Sequence, residues 1–400
     1  MIRATRTQWI KFAVVLALYL IFLVWLRSWL GLVVVPFIFD AYITKKIPWT
    51  WWRESKNRHV VTVMGWVDAI VFALVAVYFV NLYFFQNYVI PSSSLEKSLL
   101  TGDYLFVSKM SYGPRVPQTP LHMPLAQHTL PFFNCKSYLE HPQWDYKRVK
   151  GLGDVQLNDI VVFNFPAGDT VATGVPNDDI YRLSYGAGKE LAKPVDLASM
   201  TPEQQRVVYD YYYQLGREYL KENPQNFGEI ISRPVDRREN YVKRCVGLPG
   251  QTLEIKDRII YLDGKANKEP DNVQYRYLVK TKRPIPDDLA HELGISKEDM
   301  MMYYTDASVY NMPLTEKAKA GLLARKDIVV SIENTPADDA GGLYPLNMYK
   351  NWTTDNYGPV WIPKKGETVK LTIENLPVYE RPIHAVSYTH LRAHETRGNL

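Results

Sequence analysis

The stretch QNYVIPSSSL at residues 86–95 is the most informative part of this chain, because it places three serines just beyond a hydrophobic segment. Residues 64–85 are almost wholly apolar. A helix of that length spans roughly 33 Å, about one hydrocarbon core of a bilayer. A second stretch, YVKRCVGLPG at residues 241–250, places a lysine in an otherwise apolar strand pattern. The sequence therefore predicts a membrane helix, then a hydroxyl cluster, and later a lysine-bearing strand.

The composition is that of a folded protein rather than a disordered one. Of the 400 residues, 22% are charged and 46% are hydrophobic. The net charge of +5 is small and not gathered into one run, so nucleic acid is not an expected partner. The two cysteines, Cys135 and Cys245, lack the spacing of a zinc site, and they can form one disulfide or remain free thiols. No metal or other cofactor is expected.

The first apolar region runs from Ile10 to about Ile43 and is interrupted at Arg27. Both of its flanks are basic, so the positive-inside tendency favours a hairpin that crosses twice and turns near Arg27. Each arm then has about 15 to 17 residues, which is short for a full span. A single crossing or an interfacial segment remains an alternative. A cleavable signal peptide is disfavoured, because the apolar run is too long and no small-x-small site follows it.

The loop at residues 45–58 carries five basic side chains against one acidic residue, Glu54. This bias predicts that the following helix starts in the cytoplasm and that the serines lie outside. Asp68 is then interfacial, near the cytoplasmic end of that helix. The predicted membrane region consists of a hydrophobic hairpin or one to two segments at 1–44, a basic cytoplasmic loop at 45–59 and a transmembrane helix at 60–86.

Beyond Val89 the pattern predicts short strands with Gly, Pro and Asp between them, which is typical of an antiparallel β fold. Asp263-Gly264 predicts a tight hairpin turn. The predicted strands lie at residues 104–107, 159–166, 241–246, 253–256 and 259–262.

Two polar segments predict helices inserted in the β region. Thr201 followed by Pro202 is an N-cap with proline at the first helical position, which predicts a helix over 201–223. Residues 284–324 are also helix-like. The fold class predicted is therefore N-terminal transmembrane helices followed by a mainly antiparallel β domain with inserted α/β segments. That domain covers 87–274 with an insertion at about 167–238, and an incomplete second lobe is inserted at 275–384.

A serine hydroxyl is a weak nucleophile and needs a base. The eight histidines are scattered, and none is placed near the serines in the sequence pattern. A neutral lysine can act instead, and holding a lysine neutral near pH 7 to 8 costs roughly 3.5 to 4 kcal/mol. Burial among Val242, Cys245 and Val246 would favour the neutral form of Lys243. On spacing alone, a serine-rich turn and edge-strand charges at Lys243 and Arg244 remain alternatives.

The two motifs together resemble those of the bacterial type I signal peptidases, membrane-anchored Ser/Lys endopeptidases that remove signal peptides from exported proteins. Residues 90–95 resemble the nucleophile box of that family, and residues 102–113 resemble its continuation. Residues 159–166 resemble the third box, and residues 241–250 resemble the lysine box. The resemblance covers about 60–165 and 238–265.

The resemblance implies that Ser94 is the nucleophile and that Lys243 is the general base. The Ser94 N–H and the Ser92 hydroxyl would form the oxyanion hole. A signal peptide would bind as an added β-strand and be cut after an Ala-x-Ala-like site. The protein would sit in the plasma membrane with its catalytic domain on the periplasmic or extracytoplasmic side, so that signal peptides and the bilayer are its partners. The implied pocket residues are Ile90, Pro91, Leu95, Leu99, Tyr241 and Val242.

Four departures from the family pattern bear on this expectation. Leu95 stands for the usual methionine, Lys97-Ser98 for the usual Pro-Thr, and Gln251 for a common aspartate. The Lys97-Ser98 pair is expected to loosen the loop. The family's C-terminal Gly-Asp-Asn-Arg box is not found, and residues 385–400 match one reading frame of a sequencing adapter. We therefore expect a C-terminally truncated, inactive or poorly folded chain with a non-native tail, in which His390 and His394 form no metal site.

Two other functions are consistent with parts of the pattern. A non-catalytic, membrane-anchored β domain that binds peptides would share the serine and lysine stretches without turnover. Another Ser/Lys protease, such as a self-cleaving regulator, would share the chemistry, but three apolar segments argue against it because such regulators are more often soluble.

Overall fold

The computed structural model describes residues 4–383, apart from gaps at 131–132, 134, 165–169, 177, 302–303, 307, 337–342 and 348–349. The predicted tail at 385–400, with His390 and His394, lies outside the described residues. The chain forms two compact units. The first unit comprises Met1–Val89, Tyr104–Val155 and Pro234–Arg238, and the second comprises Ile90–Asp103, Gln156–Arg233 and Glu239–Leu400.

The first unit begins with apolar helices. Helix α1 (Arg6–Leu26) starts at a capping box formed by Thr5 and Gln8, and the chain leaves it at Arg27 in a left-handed conformation with φ 50°. A shorter apolar helix, Leu30–Thr44, contains α2 (Val35–Phe39). Helix α3 (Arg58–Tyr83) follows. By length and composition α1 and α3 can each cross a membrane.

The helices pack so that the chain reverses at Arg27. The Phe12 ring contacts the Phe39 ring, with centroids 5.4 Å apart, and the Tyr19 hydroxyl donates to the Gly31 carbonyl at 2.7 Å. These contacts place α1 antiparallel to Leu30–Thr44. The first arm has 21 residues, more than the 15 to 17 expected, because the helix extends outward to the polar Arg6.

The C-terminal ends of α3 and α1 lie together. The Phe22 ring lies 5.0 Å from the Phe79 ring and 5.2 Å from the Tyr83 ring, between centroids. Near the other end of α3, Arg53 Nη2 lies 3.8 Å from Asp68 Oδ2, so this carboxylate has a basic neighbour from the 45–58 loop. The helix ends earlier than the predicted residue 86.

The described part of the first unit also contains four short strands. β1 (Phe85–Val89) pairs antiparallel with β2 (Tyr104–Ser108), so a strand begins four residues before the predicted start at Val89. The exposed side chains of Phe85, Asn87 and Val89 alternate with half-buried neighbours, which is the pattern of a strand and explains this start. β3 (Arg115–Val116) pairs with β4 (Lys147–Arg148).

Three hydrogen bonds connect Pro120, Lys147 and Lys150 to one end of the helices. The Trp25 indole donates to the Lys150 carbonyl at 3.2 Å, and the Lys147 ammonium donates to the Arg27 carbonyl at 2.7 Å. The Tyr78 hydroxyl donates to the Pro120 carbonyl at 3.0 Å. The Arg27 turn and the C-terminal part of α3 therefore lie at the same end of the helices as residues 115–150.

In its described residues, the second unit contains twelve strands and six α-helices. The strands form four antiparallel sheets. Its first part consists of β5 (Ile160–Asn164), β6 (Thr170–Ala172), α4 (Ile180–Leu191), α5 (Pro202–Glu222), α6 (Pro224–Phe227), β7 (Ile230–Ser232), β8 (Asn240–Arg244), β9 (Thr252–Lys256), β10 (Ile259–Leu262) and β11 (Lys265–Ala266). Its second part consists of β12 (Gln274–Thr281), α7 (Asp287–Glu292), α8 (Lys297–Met301), β13 (Tyr304–Asp306), β14 (Val309–Thr315), α9 (Glu316–Ala324), β15 (Val329–Asn334) and β16 (Tyr357–Trp361). The sheet orders are β5-β8, β6-β7, β11-β10-β9-β16 and β13-β14-β12-β15.

Helices α4 and α5 form a closely packed hairpin. Thr201 caps α5 and Pro202 is its first residue, as the sequence predicts. A Cβ added at Gly188 would lie 1.8 Å from the Tyr212 carbonyl oxygen, and one added at Gly216 would lie 1.8 Å from the Ser184 carbonyl oxygen. Only glycine allows the two backbones to approach this closely.

Residues 274–334 form a lobe with its own core, which we call the inserted lobe. Val279, Met312 and Leu322 are fully buried in it. Arg258, in the β9–β10 turn, donates to the carbonyls of Arg276 and Thr335 and so attaches the lobe to the β9 sheet. The lobe sheet ends at Asn334, short of the predicted boundary at 384, because β16 returns to pair with β9.

Candidate active site

The site is built on the antiparallel pair β5–β8. Val161 lies opposite Lys243, and the Cys245 N–H donates to the Asp159 carbonyl at 2.8 Å. The β-branched residues of both strands favour this pairing. The neighbouring strands β5 and β8 therefore fall within or beside two segments predicted from separate motifs, 159–166 and 241–250.

Residues 90–103 form a loop that carries the serines, and we call it the serine loop. Its ends are joined, because the Ile90 N–H donates to the Asp103 carbonyl at 3.0 Å and the Gly102 N–H donates to the Ile90 carbonyl at 2.9 Å. Ile90 is 2% exposed and Leu95 is also buried. A single helical turn at Ser93–Leu95 presents Ser94 between these two anchors. The Ser94 side chain is exposed.

The structure brings Ser94 and Lys243 together. Lys243 Nζ donates to Ser94 Oγ at 2.6 Å. The two residues reach each other from the serine loop and from β8. This is the contact that a serine nucleophile and its base require.

The burial predicted around Lys243 is not present. Lys243 is exposed, whereas Val242, Cys245 and Val246 are half-buried. Successive residues of a strand point to opposite faces, so Val242 and Lys243 lie on different faces of β8. The expectation of a desolvated lysine is therefore wrong for the chain in this state.

Arg244 also contacts the serine loop, which the sequence did not predict. Its Nη2 donates to Ser98 Oγ at 2.9 Å and its Nη1 donates to the Asn158 carbonyl at 2.9 Å. Asn158 has φ 69°, a left-handed conformation that asparagine tolerates better than most residues. The sequence carried one signal for this turn. Asn158 stands directly before the predicted strand at 159–166, and asparagine tolerates a left-handed conformation. Adjacent residues of β8 thus hold both Ser94 and Ser98.

The other predicted site residues differ in whether they are buried or keep surface that a ligand could contact. Ile90 and Leu95 are buried under the serine loop, so little of their surface is left for a ligand. Ser92 is exposed and extended, with φ −147° and ψ 156°, two residues before Ser94. The remaining predicted pocket residues, which keep some surface, are Pro91, Leu99, Tyr241 and Val242.

The chain is similar to proteins of one known family. The family model described as signal peptidase, peptidase S26, matches residues 63–303. The chain belongs to this family. The match includes the serine loop and β8, which supply the two groups in contact.

Named relatives of this family are similar to parts of the chain. Signal peptidase I of Helicobacter pylori is 42% identical over 56 residues, which is 14% of this chain and 18% of that protein. Signal peptidase I P of Bacillus subtilis subsp. natto is 20% identical over 279 residues, 69% of this chain and 90% of that protein. Signal peptidase I of Rickettsia prowazekii is 24% identical over 165 residues, 38% of this chain and 56% of that protein. No solved structure matches the chain.

The cysteines and acidic residues offer no metal site within the described part of this peptidase S26 member. No group of three or more His, Cys, Asp or Glu side chains there could hold a metal ion. Cys135 and Cys245 are free thiols, and Cys245 Sγ lies 3.4 Å from the Gly247 carbonyl oxygen.

The departure from the family pattern at Lys97 has a structural counterpart. Lys97 has φ 68°, which proline cannot adopt because its ring locks φ near −65°. The serine loop is also held from both sides of this residue, by Arg244 at Ser98 and by Lys243 at Ser94. The expectation that Lys97-Ser98 loosens the loop relative to Pro-Thr stays a prediction.

Proposed function

We propose that this chain is a membrane-bound serine endopeptidase that removes N-terminal signal peptides from exported proteins. Ser94 is the nucleophile and Lys243 is the general base. The observation that carries the proposal is the 2.6 Å contact between Lys243 Nζ and Ser94 Oγ in a member of the peptidase S26 family.

The reaction follows from the positions of these two groups. Neutral Lys243 accepts the Ser94 proton while Oγ attacks the scissile carbonyl carbon, and the Ser94 N–H and the Ser92 hydroxyl donate to the oxyanion. Lys243 then gives the proton to the leaving amine as the peptide bond breaks. Water, deprotonated by Lys243, attacks the resulting ester, and the released Ser94 oxygen takes the proton back.

Lys243 must be neutral to accept a proton. Burial disfavours an ammonium, so cover over Lys243 would raise its neutral fraction. A substrate that binds as an extended strand beside Ser94 would supply such cover. Its backbone would pair with a strand edge, and small side chains before the cut, as in Ala-x-Ala, would fit shallow sites formed by Pro91, Leu99, Tyr241 and Val242.

The order of the chain supports an extracytoplasmic position for the catalytic residues, because the serine loop follows α3 and β1 directly. The basic loop at 45–58 precedes α3, and basic loops favour the cytoplasm. The Arg27 turn and residues 147–150 are joined at the opposite end of the helices. Two crossings by the hairpin and one by α3 would account for both observations.

The test is cleavage of a precursor by the full chain in detergent. Turnover would also show that the inactivity expected from the missing C-terminal box is wrong. A precursor with an Ala-x-Ala site should be cut directly after that site, as read by mass spectrometry of the products. Ser94→Ala should give no product, and Ser93→Ala, which changes the neighbouring serine, should retain cleavage. Cleavage by Ser94→Ala would overturn the proposal. Binding of the precursor without any cleavage by the unchanged chain would favour the peptide-binding alternative.

A further inference from the structure

Lys97 links the serine loop to the inserted lobe. It lies three residues after Ser94, and its Nζ donates to the Gly294 carbonyl at 2.6 Å. The serine loop and the lobe are far apart in sequence, with 197 positions between the two residues. This side chain therefore gives the lobe a direct contact with the segment that presents the nucleophile.

The lobe end of this contact is firmly held. Gly294 follows α7 with φ 67°, its N–H donates to the His291 carbonyl, and the Ile295 N–H donates to the Ala290 carbonyl. These are the bonds of a glycine that ends a helix. Ala290 and Ile295 are buried in the lobe core, so the Gly294 carbonyl is fixed by residues on both sides of it.

The loop end is a tight turn around Lys97. The Ser98 and Leu99 N–H groups both donate to the Leu95 carbonyl, at 3.0 and 2.8 Å, and Lys97 itself is left-handed. A non-glycine residue in that conformation is strained and persists when its surroundings hold it. The bond to Gly294 is a contact that can hold it.

We propose that Lys97 is a positioning residue, through which the inserted lobe fixes the turn at residues 95–99 and thereby the direction of the Ser94 hydroxyl. The part of this proposal that concerns catalysis rests on the proposed function. The part that concerns the turn does not, because it is a statement about the structure of the loop. Two measurements separate the two parts.

The first measurement is hydrogen exchange of the backbone amides in the full chain in detergent. Lys97→Met removes the ammonium donor but keeps the length of the side chain, and Lys97→Arg keeps a cationic donor. We expect the Ser98 and Leu99 amides to exchange at least about tenfold faster in Lys97→Met, and to be close to the unchanged chain in Lys97→Arg. Amides in the lobe core, such as those of Val279 and Met312, should not change.

The matched control is Lys280→Met. Lys280 lies on β12 of the same lobe and pairs with Glu333 at 3.3 Å, and both side chains are exposed. This variant removes one cation from the lobe without touching the serine loop, so the Ser98 and Leu99 amides should retain their exchange rates. Unchanged rates in Lys97→Met, or equal acceleration in Lys280→Met, would overturn the proposal.

The second measurement is steady-state cleavage of an Ala-x-Ala precursor. Misplacement of a catalytic group costs up to about 100-fold, so Lys97→Met should lower kcat by about 10- to 100-fold. KM should change less than kcat, because Leu99 is the one proposed substrate-site residue in the loosened turn, and Lys97→Arg should recover most of the loss. A parallel loss of kcat in Lys97→Arg and Lys97→Met would contradict the role of the donor. If the unchanged chain has no activity, the proposed function fails, and the exchange experiment still decides the structural role of Lys97.

Discussion

Ser94 and Lys243 lie 149 positions apart in the sequence, and Lys243 Nζ is 2.6 Å from Ser94 Oγ. Neither residue is held by its immediate neighbours alone. Ser94 depends on the closure of the serine loop at Ile90 and Asp103, and Lys243 depends on the pairing of β8 with β5. The proposed chemistry therefore rests on long-range structure, and substitutions at either support should affect it.

The oxyanion role of Ser92 gives a prediction at the site. Ser92→Ala should lower kcat by about 100- to 1,000-fold with little change in KM, because the hydroxyl donates only to charge that develops in the transition state. Steady-state cleavage of an Ala-x-Ala precursor measures both constants. Ser93→Ala is the matched control and should stay near the activity of the unchanged chain. Equal rates for the two variants would exclude a role for the Ser92 hydroxyl.

The close approach of α4 and α5 gives a stability prediction. Gly188→Ala should lower the free energy of unfolding by about 1 to 3 kcal/mol, because the added methyl would overlap the Tyr212 carbonyl oxygen. Thermal unfolding followed by circular dichroism measures the change.

Gly186 lies on the same helix, two residues away, and offers the control for that substitution. A Cβ added there meets no atom within 4 Å. Gly186→Ala should therefore stabilise the chain by about 0.5 to 1 kcal/mol, since alanine is the better helix former. A loss of stability of the same size in both variants would show that helix contact is not the cause.

Arg258 gives a prediction about the attachment of the inserted lobe. Its side chain is 12% exposed, donates to Asp355 at 3.0 Å and stacks over the Tyr275 and Tyr277 rings. Arg258→Met should cost about 2 to 4 kcal/mol, because the Asp355 carboxylate and two backbone carbonyls lose their donor. Limited proteolysis should then cut between the lobe and the β9 sheet.

The control for Arg258 is Arg283→Met. Arg283 pairs with Asp327, but its side chain is 53% exposed, and an exposed pair contributes little. This variant should unfold within about 0.5 kcal/mol of the unchanged chain. If Arg258→Met changes the free energy of unfolding as little as Arg283→Met does, and is cleaved no faster than the unchanged chain, the lobe is attached by other contacts.

Lys109, at the end of β2, gives a prediction about pH. Burial, with a smaller effect from Arg115, lowers the pKa of Lys109 from 10.5 to about 8, and its ammonium donates to Gln86 at 2.8 Å. Between these pKa values the unfolded chain binds more protons than the folded chain, so stability from this group rises with pH from about 8 to about 10.5 and is lost below that range.

Lys109→Met should accordingly stabilise the chain at pH 7, by up to about 3 kcal/mol, and the advantage should shrink towards pH 10. Urea unfolding of both forms at the two pH values measures this difference. Lys256→Met, at an exposed lysine paired with Glu254, should show no such pH-dependent advantage. An advantage of Lys109→Met that is equal at pH 7 and pH 10 would contradict the burial argument.

Local chemistry was enough to predict several elements. Thr201 and Pro202 define the start of α5, because a cap and a first-turn proline act within one helical turn. Asp263 and Gly264 form the turn between β10 and β11, since both adopt the positive φ that such a turn needs. These features depend on residues adjacent in sequence.

Long-range contacts were not predictable from the same sequence. The pattern of β8 did not reveal whether Lys243 or Arg244 would be the more exposed, because alternation fixes only that they differ. The roles of Lys97 and Arg258 were missed because their partners are backbone carbonyls, which every residue carries and no sequence pattern marks. Cover over Lys243 depends on which segments pack against that face of β8, and the local sequence pattern does not mark them.

The most direct test of the account is to trap the acyl intermediate and locate it. The full chain is incubated with an activated ester of a peptide that ends in Ala-x-Ala, quenched, digested and mapped by mass spectrometry. We expect the acyl group on Ser94, and no acyl group in Lys243→Arg, because arginine can keep the hydrogen bond but cannot accept the proton. An acyl group on Ser92 or Ser93, or one formed on Ser94 at an unchanged rate in Lys243→Arg, would contradict the proposed pair.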